Sequence, residues 1–237
     1  LWVTTAKPEG SSRVALFLVP RRLPDGKLNE CRILRLKDLS GTRGKATAEV
    51  EYREAYGELV GRAGEGLALL LSTVLRTSRI HVAAGSLGIA RRAFAEAELY
   101  CRSRLVQGRP AADLAPVARE LGAMRAELER ALPAFFTMLR CLEARDPAAE
   151  VLVPLLKIEN SRLGTDLVRR ARLLLAGNGT LRDFSPLPRL AEDNPACRES
   201  LPYTTAMVRS VLVKLEFLLG VLLEGTRPHG AFATSVF

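Results

Sequence analysis

Two periodicities divide this chain. As far as about residue 62, apolar and polar positions change over within short runs rich in β-forming residues: Trp2–Thr5, Val14–Val19, Cys31–Leu36, Thr47–Tyr52 and a brief fifth at Glu58–Val60. Turn chemistry separates them, in Pro8-Glu9-Gly10, Pro24-Asp25-Gly26 and Gly41-Thr42-Arg43-Gly44. Strand formers alternating with turn formers predict a small antiparallel β module, half a sandwich or a barrel, with edges that need cover. After Gly61-Arg62-Ala63-Gly64-Glu65-Gly66 the apolar spacing lengthens to three and four. Leu67, Leu70, Leu71, Val74 and Leu75, then Ile80, Val82, Leu87, Ile89 and Phe94, predict a helix running to about Arg104. Gly85 and Gly88 suggest a place on it where another helix comes close, and Gly108-Arg109-Pro110 ends it.

A second helix is expected over 112–145, with Asp113 near its start and Pro133 as a kink; Pro147 opens a third that runs to about Leu175. A fourth spans roughly Thr204 to Leu223, and its apolar surplus suggests that part of it meets another subunit. The fold class is therefore α+β: a partial antiparallel β domain over 1–62, then an up-and-down four-helix bundle over 63–237.

Between the third and fourth helices lies Ala176-Gly177-Asn178-Gly179-Thr180, followed by Pro186-Leu187-Pro188-Arg189-Leu190 and a polar run to Tyr203-Thr204-Thr205. Two glycines around an Asn suit either of two roles. They can cap the helix, with Gly177 or Asn178 left-handed and Pro186 preventing resumption, or expose main-chain N–H groups to a phosphate or ring edge.

Composition narrows the classes. A hydrophobic share of 48% supports a core, and charged residues at 26% without a long biased run argue against disorder. The net charge of +9 is mostly arginine, scattered along helices without interleaved aromatics. That pattern reads as a solvated basic surface before it reads as a nucleic-acid face. Cys31, Cys101, Cys141 and Cys197 have spacings that fit neither a zinc site nor a disulfide framework, so no metal is expected and a reducing, cytoplasmic setting is. His81, in an apolar helical run, reads as a packing residue, and His229 lies in a Gly-Pro tail, which excludes a histidine-centred triad. With no apolar run of eighteen or more and no basic-then-apolar leader, neither a membrane span nor a signal peptide is expected. The strand-like start at Leu1-Trp2-Val3-Thr4 reads as following a missing N-terminal portion.

In this order of elements, local matches accumulate. They are Phe17-Leu18-Val19-Pro20 with Leu23-Pro24-Asp25-Gly26, Arg35-Leu36-Lys37-Asp38, Gly41-Thr42-Arg43, Gly64-Glu65-Gly66, Ser78-Arg79, Arg104 to Gly108, Gly177-Asn178-Gly179 and Pro188-Arg189-Leu190. With them the chain resembles the acyl-CoA dehydrogenase family of flavoproteins over nearly its whole length, nearest the alkylation-response and isovaleryl-type branch. The family's N-terminal helical domain has no counterpart, nor does its flavin-contacting Trp-x-Ser/Thr motif.

The resemblance implies FAD at a subunit interface of a homo-dimer or tetramer, or a partner chain that supplies the missing domain, and an acyl-CoA substrate. It implies that Arg104 reaches the FAD pyrophosphate, that Gly177, Asn178 and Gly179 approach the cofactor through main chain, that Thr204 contacts it, and that Arg79 lies near the acyl-CoA. Gln107 stands where the family has Phe, and Ala176 where it has Gly. Family chemistry removes an α-proton with a Glu while the β-hydrogen leaves as hydride. A desolvated carboxylate suits that task because burial raises its basicity. The family's base position falls here on Leu201 or Pro202, and the alternative position on the first bundle helix is Ser78, so Glu199 is the nearest candidate. The resemblance thus leaves open a dehydrogenase, a non-catalytic companion subunit or pseudoenzyme, and a DNA-associated flavoprotein.

Overall fold

The computed structural model describes residues 1–10 and 12–194. Strands β1 (Trp2–Ala6), β2 (Ala15–Val19) and β5 (Glu58–Val60) form an antiparallel sheet in the order β1-β2-β5. The register pairs Trp2 with Val19 and Leu16 with Val60. The middle strand is the buried one, with Ala15, Leu16 and Val19 all under 5% exposed. Strands β3 (Cys31–Leu36) and β4 (Ala48–Tyr52) make a separate ladder whose register slips between Ile33 and Arg35. Such a slip bends the strand and leaves Ile33, Leu34 and Leu36 exposed. Asn29 ties the connections together: its amide donates to the Pro20 and Tyr56 carbonyls at 2.7 and 2.8 Å, and its Oδ1 accepts from Tyr56 N at 2.9 Å.

The glycine-rich hinge has a steric reason. Gly61 and Gly64 sit at φ 72° and 91°, in the left-handed region that side chains avoid. Gly66 N donates to Val14 O at 3.1 Å, and a Cβ there would run into the Ala15–Leu16 backbone. The first helical turn is thereby pressed onto β2.

From that turn the chain stays helical through α1 (Gly66–Leu69), a π-turn over Leu70–Leu75 and α2 (Arg76–Ser103). The buried stripe of α2 is mostly small residues: Ala83, Ser86, Ala90, Ala93, Ala97 and Cys101 recur at three-four spacing, with Leu87 and Phe94 beside them. Small side chains let two backbones approach, and α2 packs chiefly on α4 (Ala149–Leu174). Gly85 and Gly88, the expected contact glycines, are exposed and face open space. The glycine at the close approach is Gly164, whose Cβ would stand 2.9 Å from Ser86 O. His81 is likewise exposed, not packed. Spacing identified α2 as helical but not which of its faces the neighbours would cover.

Helix α3 (Ala115–Glu143) begins with Pro116 in its first turn, where a missing N–H costs nothing, and continues through Pro133. Met124 and Met138, both fully buried, fill the space between α3 and its neighbours. Asp146 closes the turn that leads into the next helix, its Oδ1 accepting from Ala148 N at 2.8 Å. The Ala176–Thr180 segment is a 3₁₀ turn, and a short helix α5 (Leu187–Asp193) follows over the Pro186–Leu190 stretch and the start of the polar run, where no helix was expected. Pro186, expected to prevent the helix from resuming, is instead the N-cap of α5, and Pro188 stands in its first turn. Leu187 is fully buried against the bundle core. The fourth helix expected over 204–223 lies outside the described residues.

One described helical span, Gly66–Ser103, is long and apolar enough by length and composition to cross a bilayer, with a best eighteen-residue mean hydropathy of 1.2. Its second half supplies the bundle core, and its first half exposes Leu67, Leu71 and Val74.

Candidate functional site

At the C-terminal end of α2 the chain turns sharply. Strands β6 (Leu105–Val106) and β7 (Arg109–Pro110) flank Gln107 and Gly108, at φ 51° and 79°. Two successive left-handed residues make the tight turn that suits a two-residue hairpin. Arg104 occupies the junction. Its N–H closes the helix on Tyr100 O at 2.8 Å, and its carbonyl accepts from Ala111 N at 2.7 Å. The backbone is held on both sides while the guanidinium stays exposed, with no hydrogen-bond or ion-pair partner among the described residues.

The Gly-Asn-Gly turn stands against the same end of α2. Asn178 Nδ2 donates to the Tyr100 hydroxyl at 3.2 Å, one helical turn before Arg104. The Tyr100 ring in turn meets Phe184 edge-on, with centroids 6.0 Å apart. Within the turn Thr180 Oγ1 donates to Gly177 O at 2.7 Å, and Arg172 Nε donates to Gly179 O at 3.1 Å. The left-handed residue is Ala176, at φ 49°, and not Gly177 or Asn178. Ala176 is the first residue of the 3₁₀ turn and directly follows Leu175, the C-cap of α4, the place where helices commonly end on a left-handed residue.

The two glycines have different work. Gly179 is buried, and a Cβ there would overlap the Arg172 backbone. Gly177 has open space where a side chain would be, so a ligand can come up to its main chain. A cavity of about 470 Å³ adjoins the turn, lined among others by Thr165, Arg169, Arg172, Ala176 and Asn194. A second, of about 530 Å³, lies past Phe184 and carries Arg43, Arg182 and Arg189.

The sequence candidates therefore divide. Arg104, Gly177, Asn178 and Gly179 share one end of the bundle. Arg79 does not: it is half-buried on α2, and the helix rise places it about 37 Å from Arg104. Ser78 beside it is exposed and offers no carboxylate. Glu199 and Thr204 lie outside the described residues. Tyr100, the link between Arg104 and Asn178, escaped the sequence reading. Its signal was available as an aromatic hydroxyl one turn before a helix-end arginine.

Electrostatics separate this end from the bundle's flank. On the flank, Arg170 is nearly buried between Glu120, Glu127 and Asp166, with N–O distances of 2.6, 2.8 and 3.3 Å. Burial works against its charge, yet the hydrogen bonds it donates to Glu127 and Glu120 hold it more firmly protonated than usual. Burial would also raise the Asp166 carboxyl, but hydrogen bonds from Arg169 and Arg170 take it below the ordinary range. Burial pushes the Cys101 thiol up, which makes it a packing group and not a nucleophile.

Residues 64–199 match a family model described as acyl-CoA dehydrogenase, C-terminal domain. The Escherichia coli protein AidB is 36% identical over 187 residues, covering 77% of this chain and 34% of its own length. The Caenorhabditis elegans protein ACDH-11, solved in complex with C11-CoA, superposes with a TM-score of 0.74 at 28% identity, covering 84% of this chain and 35% of its own. Butyryl-CoA dehydrogenase of Megasphaera elsdenii superposes at 0.76 with 20% identity, covering 87% and 55%, a likeness of fold alone. This chain spans about a third of the length of the first curated relatives it matches.

Proposed function

The chain belongs to the acyl-CoA dehydrogenase family, and from that premise we propose that it serves an FAD-dependent α,β-dehydrogenation of an acyl-CoA thioester. One observation carries the reading: an Arg104 guanidinium without a partner among the described residues and the open main chain at Gly177 are held at one end of the bundle by the Tyr100–Asn178 bond. A guanidinium fork suits a diphosphate, and an unobstructed glycine admits one. The residues present thus fit the pyrophosphate of FAD. Arg104 binds it, while Asn178 and Gly179 hold the shape of the turn. FAD, when bound, supplies the hydride acceptor. Arg79 is assigned to the acyl-CoA, Thr204 to the flavin and Glu199 to the α-proton. Because Arg79 and Arg104 stand about 37 Å apart on one helix, they serve different stretches of ligand. That separation supports an oligomer in which neighbouring copies complete each site. The exposed Leu67, Leu71 and Val74 give such an assembly an apolar face to cover. We place the protein in the cytoplasm.

Ser78 favours a second reading, a companion subunit or pseudoenzyme that binds flavin without dehydrogenating, since no carboxylate stands at that position. The nucleic-acid reading has less behind it, because Arg92, Arg102, Arg125 and Arg169 are engaged by carboxylates.

Titration of the purified chain with FAD, followed by flavin fluorescence, tests the first reading. Arg104→Ala is expected to weaken binding roughly 10–100-fold, the loss of a charge-assisted contact. A chain that leaves micromolar FAD free in solution sinks it. If flavin binds, anaerobic acyl-CoA should bleach it; retained colour selects the companion reading. Steeply salt-dependent DNA binding would be needed to revive the third.

A further inference from the structure

Past Phe184 lies the cavity of about 530 Å³, which the flavin reading does not use. Three arginines reach it from three parts of the chain: Arg43 from the β3–β4 connection, Arg182 from the stretch after the 3₁₀ turn, and Arg189 from α5. Neither Arg104 nor Gly177 lines it. Its size suits a small ligand.

The first of these arginines is placed at a conformational cost. Thr42, just before it, sits at φ 52°, a left-handed conformation that a β-branched residue rarely adopts. Two bonds hold it there: Thr42 N donates to Asp193 Oδ1 at 2.7 Å, and Lys45 N donates to Thr42 O at 2.9 Å. Gly41 lies against the Glu192 backbone, which a Cβ would overlap. The hairpin tip is thus pressed onto α5, and Arg43 is carried to the cavity. Strain of this kind persists only where the surroundings over-determine it, and it gathers at ligand sites.

The three guanidiniums have donors to spare. Arg182 is bonded through one nitrogen to Glu192, at 2.6 Å. Arg43 and Arg189 approach Asp38 and Asp193 only at 3.5 and 4.0 Å, and hydrogen-bond neither. All three side chains are mostly exposed, and exposed pairs contribute little. A phosphate brings several acceptor oxygens that a guanidinium fork matches. Beside them Phe184 is 51% exposed, although its ring is set edge-on against Tyr100. An aromatic held in place yet half open to solvent offers a surface on which a planar base can stack.

We infer that this cavity binds a nucleoside diphosphate, with Arg43, Arg182 and Arg189 on its phosphates and Phe184 against its base. The inference does not rest on the function proposed above, which uses Arg104 and Gly177.

Calorimetric titration of the whole chain with ADP, pyrophosphate and adenosine tests it. ADP is expected to bind in the range of roughly 10–100 μM, more tightly than either of its parts. Arg43→Ala and Arg182→Ala should each weaken ADP and pyrophosphate about tenfold. Phe184→Leu should weaken ADP by about the same factor and leave pyrophosphate as it was. Arg91→Ala removes the same charge from an exposed place on α2 and should change neither. A wild-type chain that takes up no ADP at about 1 mM overturns the inference. So does an Arg91→Ala loss equal to that of Arg43→Ala, which would make the attraction one of net charge. An ADP affinity that falls with Arg104→Ala but not with Arg43→Ala puts the nucleotide at the flavin end and overturns it as well. Pyrophosphate binding as tightly as ADP, with Phe184→Leu silent, removes the base from the site and the inference with it. If Arg182→Ala does not fold, Arg189→Ala takes its place, since its nearest carboxylate is 4.0 Å away.

Discussion

The side-chain amide of Asn178 donates to the hydroxyl of Tyr100 across 3.2 Å, joining the turn after α4 to the last full turn of α2. This one bond brings an arginine and a glycine turn from distant parts of the sequence to the same end of the bundle. Tyr100→Phe keeps the ring and its edge-on contact with Phe184 but deletes the acceptor. The expected cost is about 1 kcal/mol of stability, a neutral hydrogen bond in a half-buried place. FAD affinity should fall several-fold by titration, because the turn is no longer held in register with Arg104. An affinity equal to wild type would show that the turn keeps its place without Tyr100.

Gly177 and Gly179 are separated by one residue and should respond oppositely to alanine. Gly179→Ala drives a Cβ into the Arg172 backbone, and the turn must move. A loss of about 2 kcal/mol or more in denaturant unfolding is expected. Gly177→Ala meets open space and removes unfolded-state freedom, so stability should hold or rise by about 0.5 kcal/mol. Its effect should appear in FAD binding instead, since the new methyl group stands where the ligand approaches.

How far the sequence foretells this site depends on what each residue's neighbours are. The strands at Cys31–Leu36 and Glu58–Val60 lie where composition and turn residues place them. The long helices follow from three-four spacing. Burial is another matter: Gly85, Gly88 and His81 face solvent, whereas Ala83, Ala90, Ala93 and Ala97 carry the seam with α4. A stripe of alanine has little hydrophobic contrast, so periodicity of large residues passes over it. Gly164, an isolated glycine inside α4, was the better marker of close approach. Helix α5 was hidden by reading prolines only as breakers, when Pro188 stands in the first turn. Tyr100 acts through partners far away in sequence, and no local pattern names those.

The arginine on the bundle's flank predicts a difference between two substitutions. Arg170→Ala leaves Glu120, Glu127 and Asp166 facing one another without their shared cation. All three carboxylates keep some contact with water, which tempers the penalty to roughly 2–3 kcal/mol, below the cost of breaking a fully buried pair. Arg170→Met with Glu127→Gln removes repulsion along with attraction and should cost about half as much. Equal losses in the two proteins would mean that the hydrogen bonds Arg170 donates, lost in both, outweigh the repulsion left among the carboxylates.

Acid should undo the same cluster and the separate pairs of Glu98 with Arg102 and Arg125, and the sign follows from the carboxylates. Asp166 titrates below its ordinary value in the folded chain because Arg169 and Arg170 hydrogen-bond it, and Glu98 does so chiefly through Arg102. Between the depressed folded values and the ordinary unfolded values of about 4, the unfolded chain binds more protons. Stability therefore rises with pH across that window, is fully present above about pH 5, and is lost as pH falls through the folded values. Arg170 stays charged throughout and adds no slope. Melting temperature measured from pH 6 down to pH 3 should fall, and Asp166→Asn, which cannot titrate, should flatten the fall while lowering the plateau. A plateau unchanged by that substitution would show that Asp166 contributes nothing to the folded state at neutral pH, in conflict with its bonds to Arg169 and Arg170 at 2.8 and 3.3 Å.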